Sequence, residues 1–191
     1  MVAPEHPRFV DRLARRLSLT APVPPNDGLR RAAVAVVVHE ASEPRVLLMK
    51  RAERVGDPWS GHISLPGGGY QQNDPDLLAT AIRETHEELG IELSPEALLG
   101  NLAPLGPRSA GPTPIEVTPF VFRTTDEPTP VCGPEALSAF WLSLSLARSG
   151  ALDSTYTYPS STMQFPSWVY EGHVIWGMTR RILDDLVAAA G

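Results

Sequence analysis

Hydrophobic and polar positions along the chain follow two rhythms, one of helices and one of strands. Between His6 and Leu17, the residues Phe9, Leu13 and Leu17 recur every four positions with Arg12, Arg15 and Arg16 elsewhere on the surface, which predicts a short amphipathic helix. A Pro-rich connector, Thr20 to Gly28, follows it. Arg31 to Val38 is then almost continuously apolar, the pattern of a strand buried on both faces. After a turn at Glu43 and Pro44, Arg45 to Arg51 reads as its hairpin partner.

Arg54 to His62 is irregular and punctuated by Gly56, Pro58 and Gly61, and Pro66 to Gly69 reads as a tight loop. A helix follows, with Asp74 as its N-cap, Pro75 at its first position, an apolar stripe of Leu77, Ala81, Ile82, Thr85 and Leu89, and Gly90 as its C-terminal stop. Further strands are expected over Leu98–Leu105, Ile115–Arg123 and Leu137–Leu142, with a short helix at Leu144–Ser149. Pro159 to Val169 reads as a loop entering a strand, and Val174 to Ala189 as the last helix, carrying Ile175, Met178, Ile182, Leu183 and Leu186. Strands interleaved with helices define an α/β fold with a mixed sheet. With no internal repeat or boundary, residues 1–191 are expected to form a single domain with an N-terminal helical extension at about 6–18.

Composition narrows the function. The net charge of −6 lacks the basic surface that nucleic-acid binding needs, so no nucleic-acid partner is expected. No apolar run is long enough to span a bilayer, so no membrane association and a cytoplasmic location are expected. Cys132 is the only cysteine, which excludes an internal disulfide, and its neighbours Gly133 and Pro134 offer no activating base.

The informative segment is Arg83-Glu84-Thr85-His86-Glu87-Glu88-Leu89-Gly90-Ile91. On a helix, Glu84 and Glu88 lie one turn apart and Glu87 lies beside them, so like charges crowd one face at a cost of about 0.2–0.5 kcal/mol per pair. Arg83, four positions before Glu87, can hold one of these carboxylates in place. An isolated glutamate pair reads as a solvated helix face. Here the cluster sits in the C-terminal half, where the helix dipole disfavours negative charge, and it follows a Gly-rich loop at short range. That combination favours a site for a hard divalent cation, Mg²⁺ or Mn²⁺, which takes oxygen ligands.

These residues resemble the Nudix box, in which a glycine and a glutamate precede Arg-Glu-aliphatic-x-Glu-Glu-x-Gly-aliphatic. Pro66-Gly67-Gly68 matches the first half and Arg83, Glu84, Glu87, Glu88, Gly90 and Ile91 the second. Thr85 takes an aliphatic slot, and the loop is one residue longer, with Asp74 in the acidic place. The resemblance implies a Nudix-type α/β/α sandwich that hydrolyses a diphosphate bond in a nucleotide-containing substrate. It implies Glu84, Glu87 and Glu88 as metal ligands, Glu84, Glu88 and Arg83 as catalytic candidates, Gly67 and Gly68 as shaping the turn, and Asp74 as fixing the box. The general base is left open among Glu84, Glu135 and Glu116.

Beyond the box, Leu47-Leu48-Met49-Lys50-Arg51, the run Gly61 to Gly68, Val117 to Val121 and Ile175 to Thr179 resemble the coenzyme A diphosphatase branch of the family. That implies cleavage of coenzyme A or an acyl derivative to adenosine 3′,5′-bisphosphate and 4′-phosphopantetheine. Arg51 and Arg54 would then meet the substrate phosphates, and the loop around Trp59 with the segment around Phe165 and Trp168 would form a groove for the pantetheine arm. Trp59 and Trp168 read either as stacking platforms for a base or as packing residues. His62 and His86 read as phosphate contacts or bases, with a helix-surface role favoured for His86. The alternatives are a Nudix hydrolase of ADP-ribose, a dinucleotide or a nucleoside triphosphate, and a non-catalytic nucleotide sensor. The apolar residues from Trp168 to Ile182 suggest a homodimer interface or a cap on the core.

Overall fold

Successive side chains of the valine-rich run point to opposite faces of a sheet, and both faces are covered. In the computed structural model, which describes residues 8–20, 24, 27–56, 59–106, 115–158 and 162–191, this run is strand β1 (Arg30–His39). Ala33, Ala35 and Val37 face one apolar core, which contains Leu77, Ala81 and Leu89 of helix α2 (Leu77–Leu89). Val36 and Val38 face the other, with Leu13 of α1 (Phe9–Ala14), Leu144 of α3 (Leu144–Ser149) and Ile182, Leu183 and Leu186 of α4 (Gly177–Ala190). Helices therefore cover both faces of a mixed sheet, as the sequence predicts.

Among the described residues the sheet has seven strands. Along one edge β1 runs parallel to β6 (Ile115–Thr124) over its whole length, and β5 (Leu98–Asn101) pairs antiparallel beyond it. Along the other edge β1 first pairs with β4 (Gly67–Gly69) and then, past Val34, with β2 (Arg45–Arg51). β2 leaves β1 to pair with β3 (Ile63–Ser64), and β7 (Ala136–Ser143) lines its outer edge. Residues 63–69 thus fill a wedge where β1 and β2 splay apart. Backbone bonds close the wedge: the Ala35 N–H donates to the Pro66 carbonyl at 2.8 Å and the Arg51 N–H to the His62 carbonyl at 3.0 Å. A second, antiparallel sheet of β8 (Asp153–Thr157), β9 (Gln164–Tyr170) and β10 (His173–Trp176) packs beside it.

The sequence-based expectations need several corrections. The first helix covers only Phe9–Ala14, because Leu17 and Ser18 turn away to form a bridge between Ser18 and Asn101 at the end of β5; His6 and Pro7 lie outside the described residues. Of the expected loop Pro66–Gly69, only Pro66 is a bend; Gly67–Gly69 form a strand, since all three glycines pair with β1. The expected strand Leu98–Leu105 ends at Asn101, with Leu105 making one isolated bridge to Val117. The expected helix from Val174 begins only at Gly177; the β-branched and aromatic run before it is β10. β8 was not anticipated, and its side chains are mostly exposed. Of the two readings of the Trp168 to Ile182 region, a dimer surface or a cap on the core, the burial of Trp168, Ile175 and Ile182 in the chain's own core fits the second. Among the described residues no helix is long and apolar enough to cross a membrane.

Candidate active site

Asp76, not Asp74, caps helix α2, its carboxylate accepting the Ala79 N–H at 2.8 Å. Asp74 is buried and gathers four hydrogen bonds. Arg83 Nε donates to Oδ1 at 2.9 Å and Arg83 Nη2 to Oδ2 at 3.0 Å, while the Thr80 hydroxyl (2.8 Å) and the Gln71 N–H (3.1 Å) complete the set. The Arg83 hydrogen bonds, aided by the other two donors, hold the Asp74 carboxyl down at about 2. Asp74 is therefore the anchor of Arg83, the fixing role expected of the acidic residue in the loop. The other Arg83 nitrogen, Nη1, donates to Glu84 at 2.9 Å and to Glu87 at 3.1 Å.

The other departure from the box is also accounted for. Thr85 occupies its aliphatic slot fully buried because its hydroxyl donates to the Ala81 carbonyl at 2.7 Å, which leaves only its methyl group to pack.

Glu88 is only 2 % exposed, and its carboxylate accepts the Gly67 N–H at 2.8 Å. Burial, with the charges of Glu84 and Glu135 adding to it, pushes its carboxyl up to about 7; the Gly67 amide and the Arg51 guanidinium pull the other way. Burial raises Glu84 as well, with Arg83 opposing and Glu87 and Glu135 adding. A Cβ on Gly68 would stand 2.5 Å from the Glu84 carboxyl carbon, and one on Gly67, whose φ is +150°, would stand 2.3 Å from the Ala33 carbonyl oxygen. Both positions require glycine, the first to admit a carboxylate and the second to admit a backbone.

Glu135 reaches this cluster from the other side. The segment before β7 wraps the end of α2, with the Val131 N–H bonded to the Leu89 carbonyl and the Gly133 N–H to the Glu88 carbonyl, each at 2.8 Å. The Ala52 N–H donates to the Glu135 carbonyl at 2.9 Å, and Arg54 Nη1 lies 3.2 Å from its carboxylate. Arg51, the last residue of β2, and Arg54, in the loop after it, therefore stand with the carboxylates, Arg51 acting on Glu88 and Arg54 paired with Glu135. Glu116 does not; it is engaged by Arg31 Nε at 2.9 Å. His86 is exposed on α2 and pairs with Glu92, the surface role expected of it. Of the two tryptophans, Trp59 is 57 % exposed, whereas Trp168 is 1 % exposed beneath the Arg180 guanidinium and donates to Asp153.

Among the described residues, no group of three or more His, Cys, Asp or Glu side chains is gathered so as to hold a metal ion as it stands. Glu84 and Glu87 are turned onto Arg83 and Glu88 onto Gly67. The donor set nevertheless suits a hard cation: it offers only carboxylate oxygens, and like charges crowd it from two elements.

The sequence model of the NUDIX domain matches residues 29–160, more than half of the chain. The chain belongs to the Nudix hydrolase family. It is 34 % identical over 169 residues to an uncharacterized Nudix hydrolase, NudL, of Yersinia pestis (strain Pestoides F), covering 82 % of this chain and 78 % of that one. Its fold is similar to that of a MutT/nudix family protein from Enterococcus faecalis, with a TM-score of 0.59 and 17 % identity, over 86 % of this chain and 63 % of the other. It also resembles the NUDIX domain of Shewanella oneidensis NrtR, seen in complex with ADP ribose, with a TM-score of 0.52 and 18 % identity over 63 % and 77 % of the two chains. At those identities the structural likeness speaks to the fold alone. As a Nudix enzyme the chain is a pyrophosphate-cleaving hydrolase, and Nudix hydrolases generally use divalent metals such as Mg²⁺ or Mn²⁺.

Proposed function

We propose that this Nudix hydrolase is a coenzyme A diphosphatase, cleaving coenzyme A or an acyl derivative into adenosine 3′,5′-bisphosphate and 4′-phosphopantetheine. The observation that carries the reading is the placement of Arg51 and Arg54. Both stand at the carboxylate cluster, one acting on Glu88 and the other paired with Glu135. A diphosphate needs the cation; a second phosphate on the same nucleotide needs further positive charge, and guanidinium groups grip phosphate through paired hydrogen bonds.

Glu84, Glu87 and Glu88 would hold the cation. That ion would neutralise phosphate oxygens and make a bound water more acidic. Arg83 is a positioning residue: anchored by Asp74, it holds Glu84 and Glu87 near the helix surface. Gly67 orients Glu88 through its amide. Glu135 is the general base, because it faces Glu84 and Glu88 from a separate element, whereas Glu116 is tied to Arg31. The single-domain organisation and the N-terminal helical extension belong to the same reading, with α1 packed into the core beside α4.

The test is a substrate panel with Mg²⁺ and mass spectrometry of the products. Coenzyme A should yield the two named fragments, and dephospho-coenzyme A should be cleaved with a kcat/KM about tenfold or more lower. Arg54→Ala should erase that preference. Turnover of ADP-ribose or a nucleoside triphosphate, with none of coenzyme A, would overturn the assignment.

A further inference from the structure

Beside the carboxylates stands a row of aromatic rings that the hydrolytic chemistry does not use. Trp59 meets His62 edge-on at 6.1 Å between ring centroids, and His62 meets Trp176 edge-on at 5.3 Å. Trp176 then lies against Tyr156 (4.5 Å) of β8, Phe165 (5.3 Å) of β9 and Tyr158 (5.7 Å), just past the end of β8. The row crosses from the segment before β3 to the small sheet, and its outer rings, Trp59 and Tyr158, are exposed. A row built only to fill the core would bury its terminal rings, as Trp168 is buried nearby.

The row is tied to the charged groups through the backbone. The His62 N–H donates to the Trp59 carbonyl at 3.2 Å, and the His62 carbonyl accepts the Arg51 N–H at 3.0 Å. The Arg54 N–H donates to the hydroxyl of Ser60, the residue after Trp59, at 2.7 Å. At the far side the Thr179 hydroxyl donates to the Ile63 carbonyl at 3.1 Å and fixes the start of α4, and with it Trp176, against β3. These bonds thus tie the backbone that carries Arg51 and Arg54, the two arginines at the carboxylates, to the backbone that carries the exposed Trp59. A ligand complementary to that pairing carries phosphate next to a flat π-system, the chemistry of a nucleotide base rather than of an aliphatic amide arm.

We propose that Trp59, backed by His62 and Trp176, is the base-stacking subsite of this enzyme and receives the purine ring of the nucleotide half of the substrate. This rests on the coenzyme A reading for the identity of the nucleotide. It selects the stacking reading of Trp59 over the expectation that its loop lines the groove for the pantetheine arm.

Binding of the two product fragments tests it without turnover. The full-length protein is titrated in Mg²⁺ with adenosine 3′,5′-bisphosphate and, separately, with 4′-phosphopantetheine, read by tryptophan fluorescence and by calorimetry. Adenosine 3′,5′-bisphosphate should quench the fluorescence. Its Kd should rise about tenfold in Trp59→Ala and be largely restored in Trp59→Phe, with 4′-phosphopantetheine affinity unchanged. Val55→Ala, at a fully exposed neighbouring position, should leave both affinities alone. Loss of 4′-phosphopantetheine binding in Trp59→Ala, with adenosine 3′,5′-bisphosphate unaffected, would overturn the proposal, as would equal affinity of both fragments for Trp59→Ala and the native chain. If coenzyme A proves not to be a substrate but adenosine nucleotides still bind through Trp59, the subsite stands and the coenzyme A reading alone falls.

Discussion

Arg83 grips both oxygens of Asp74, Nε to Oδ1 at 2.9 Å and Nη2 to Oδ2 at 3.0 Å, across the turn that leads into α2. The pair makes the loop residue and the helix one unit, and its third nitrogen is left to hold the glutamates.

This grip predicts an acid-sensitive contribution to stability. The folded Asp74 carboxyl lies at about 2, below its ordinary value of 3.8. A depressed carboxyl stabilises the fold above the unfolded value and loses that stabilisation as pH falls towards the folded one. Urea unfolding between pH 6 and about 2 should therefore show Asp74 contributing roughly 2 kcal/mol that disappears below about pH 4. Asp74→Asn should be less stable at neutral pH and should converge on the native protein at the acid end. Parallel pH profiles for the two proteins would contradict this.

The three glycines of β4 should rank in order. A side chain at Gly67 meets backbone at 2.3 Å with φ at +150°, so Gly67→Ala should cost roughly 2–4 kcal/mol. At Gly68 the collision is with the Glu84 carboxylate, so Gly68→Ala should lower activity more than stability. Gly69 has nothing within 4 Å of a Cβ, and Gly69→Ala should change stability by about 0.5 kcal/mol or less. Melting temperatures and turnover of the three variants, compared side by side, check the order.

Metal binding separates from catalysis in a thermal-shift experiment. Mg²⁺ at about a hundredfold excess over its Kd should stabilise the native protein by roughly 2.7 kcal/mol. Glu88→Gln should lose most of that shift and most of the activity, and its metal-free form should melt above the native one because a buried charge is gone. A full Mg²⁺ response in Glu88→Gln would remove Glu88 from the ligand set.

Glu135→Gln should show the complementary behaviour, with the Mg²⁺ shift retained and kcat lowered by about a hundredfold or more. Glu116→Gln, whose parent is tied to Arg31, is the matched control and should keep its turnover. Equal rates for both variants would exclude Glu135 as the base.

The long periodic segments of the fold were legible in the sequence: β1 and β2 from their apolar runs, and α2 from its stripe and its Gly90 stop. The glutamates and Arg83 could be placed on one helix face from spacing alone. The small sheet was not legible, because β8 is mostly exposed and lacks a clean alternation. β10 merged with α4 in the reading because Ile175 and Met178 share a helical spacing. The signal that separates them is Gly177, at φ +64°, directly after a β-branched and aromatic run. The Asp74 cap was misplaced because Asp74-Pro75-Asp76 offers two capping residues, and only burial against Arg83 and Thr80 decides between them. The places of Trp176 and Glu135 depend on tertiary structure, since each meets its neighbours from a distant part of the chain.

The ion pair between Arg54 and Glu135 constrains how such an enzyme can diverge. The loop that would choose the substrate and the segment that would carry the base are fastened to each other, by that pair and by the bond from the Ala52 amide to the Glu135 carbonyl. A lineage that rewrites Arg54 to suit a different phosphate pattern would also loosen the group proposed to move the proton. New selectivity then arrives with a slower enzyme until a second substitution restores the tether, so changes at the loop and at the 131–135 segment are expected to arise in pairs.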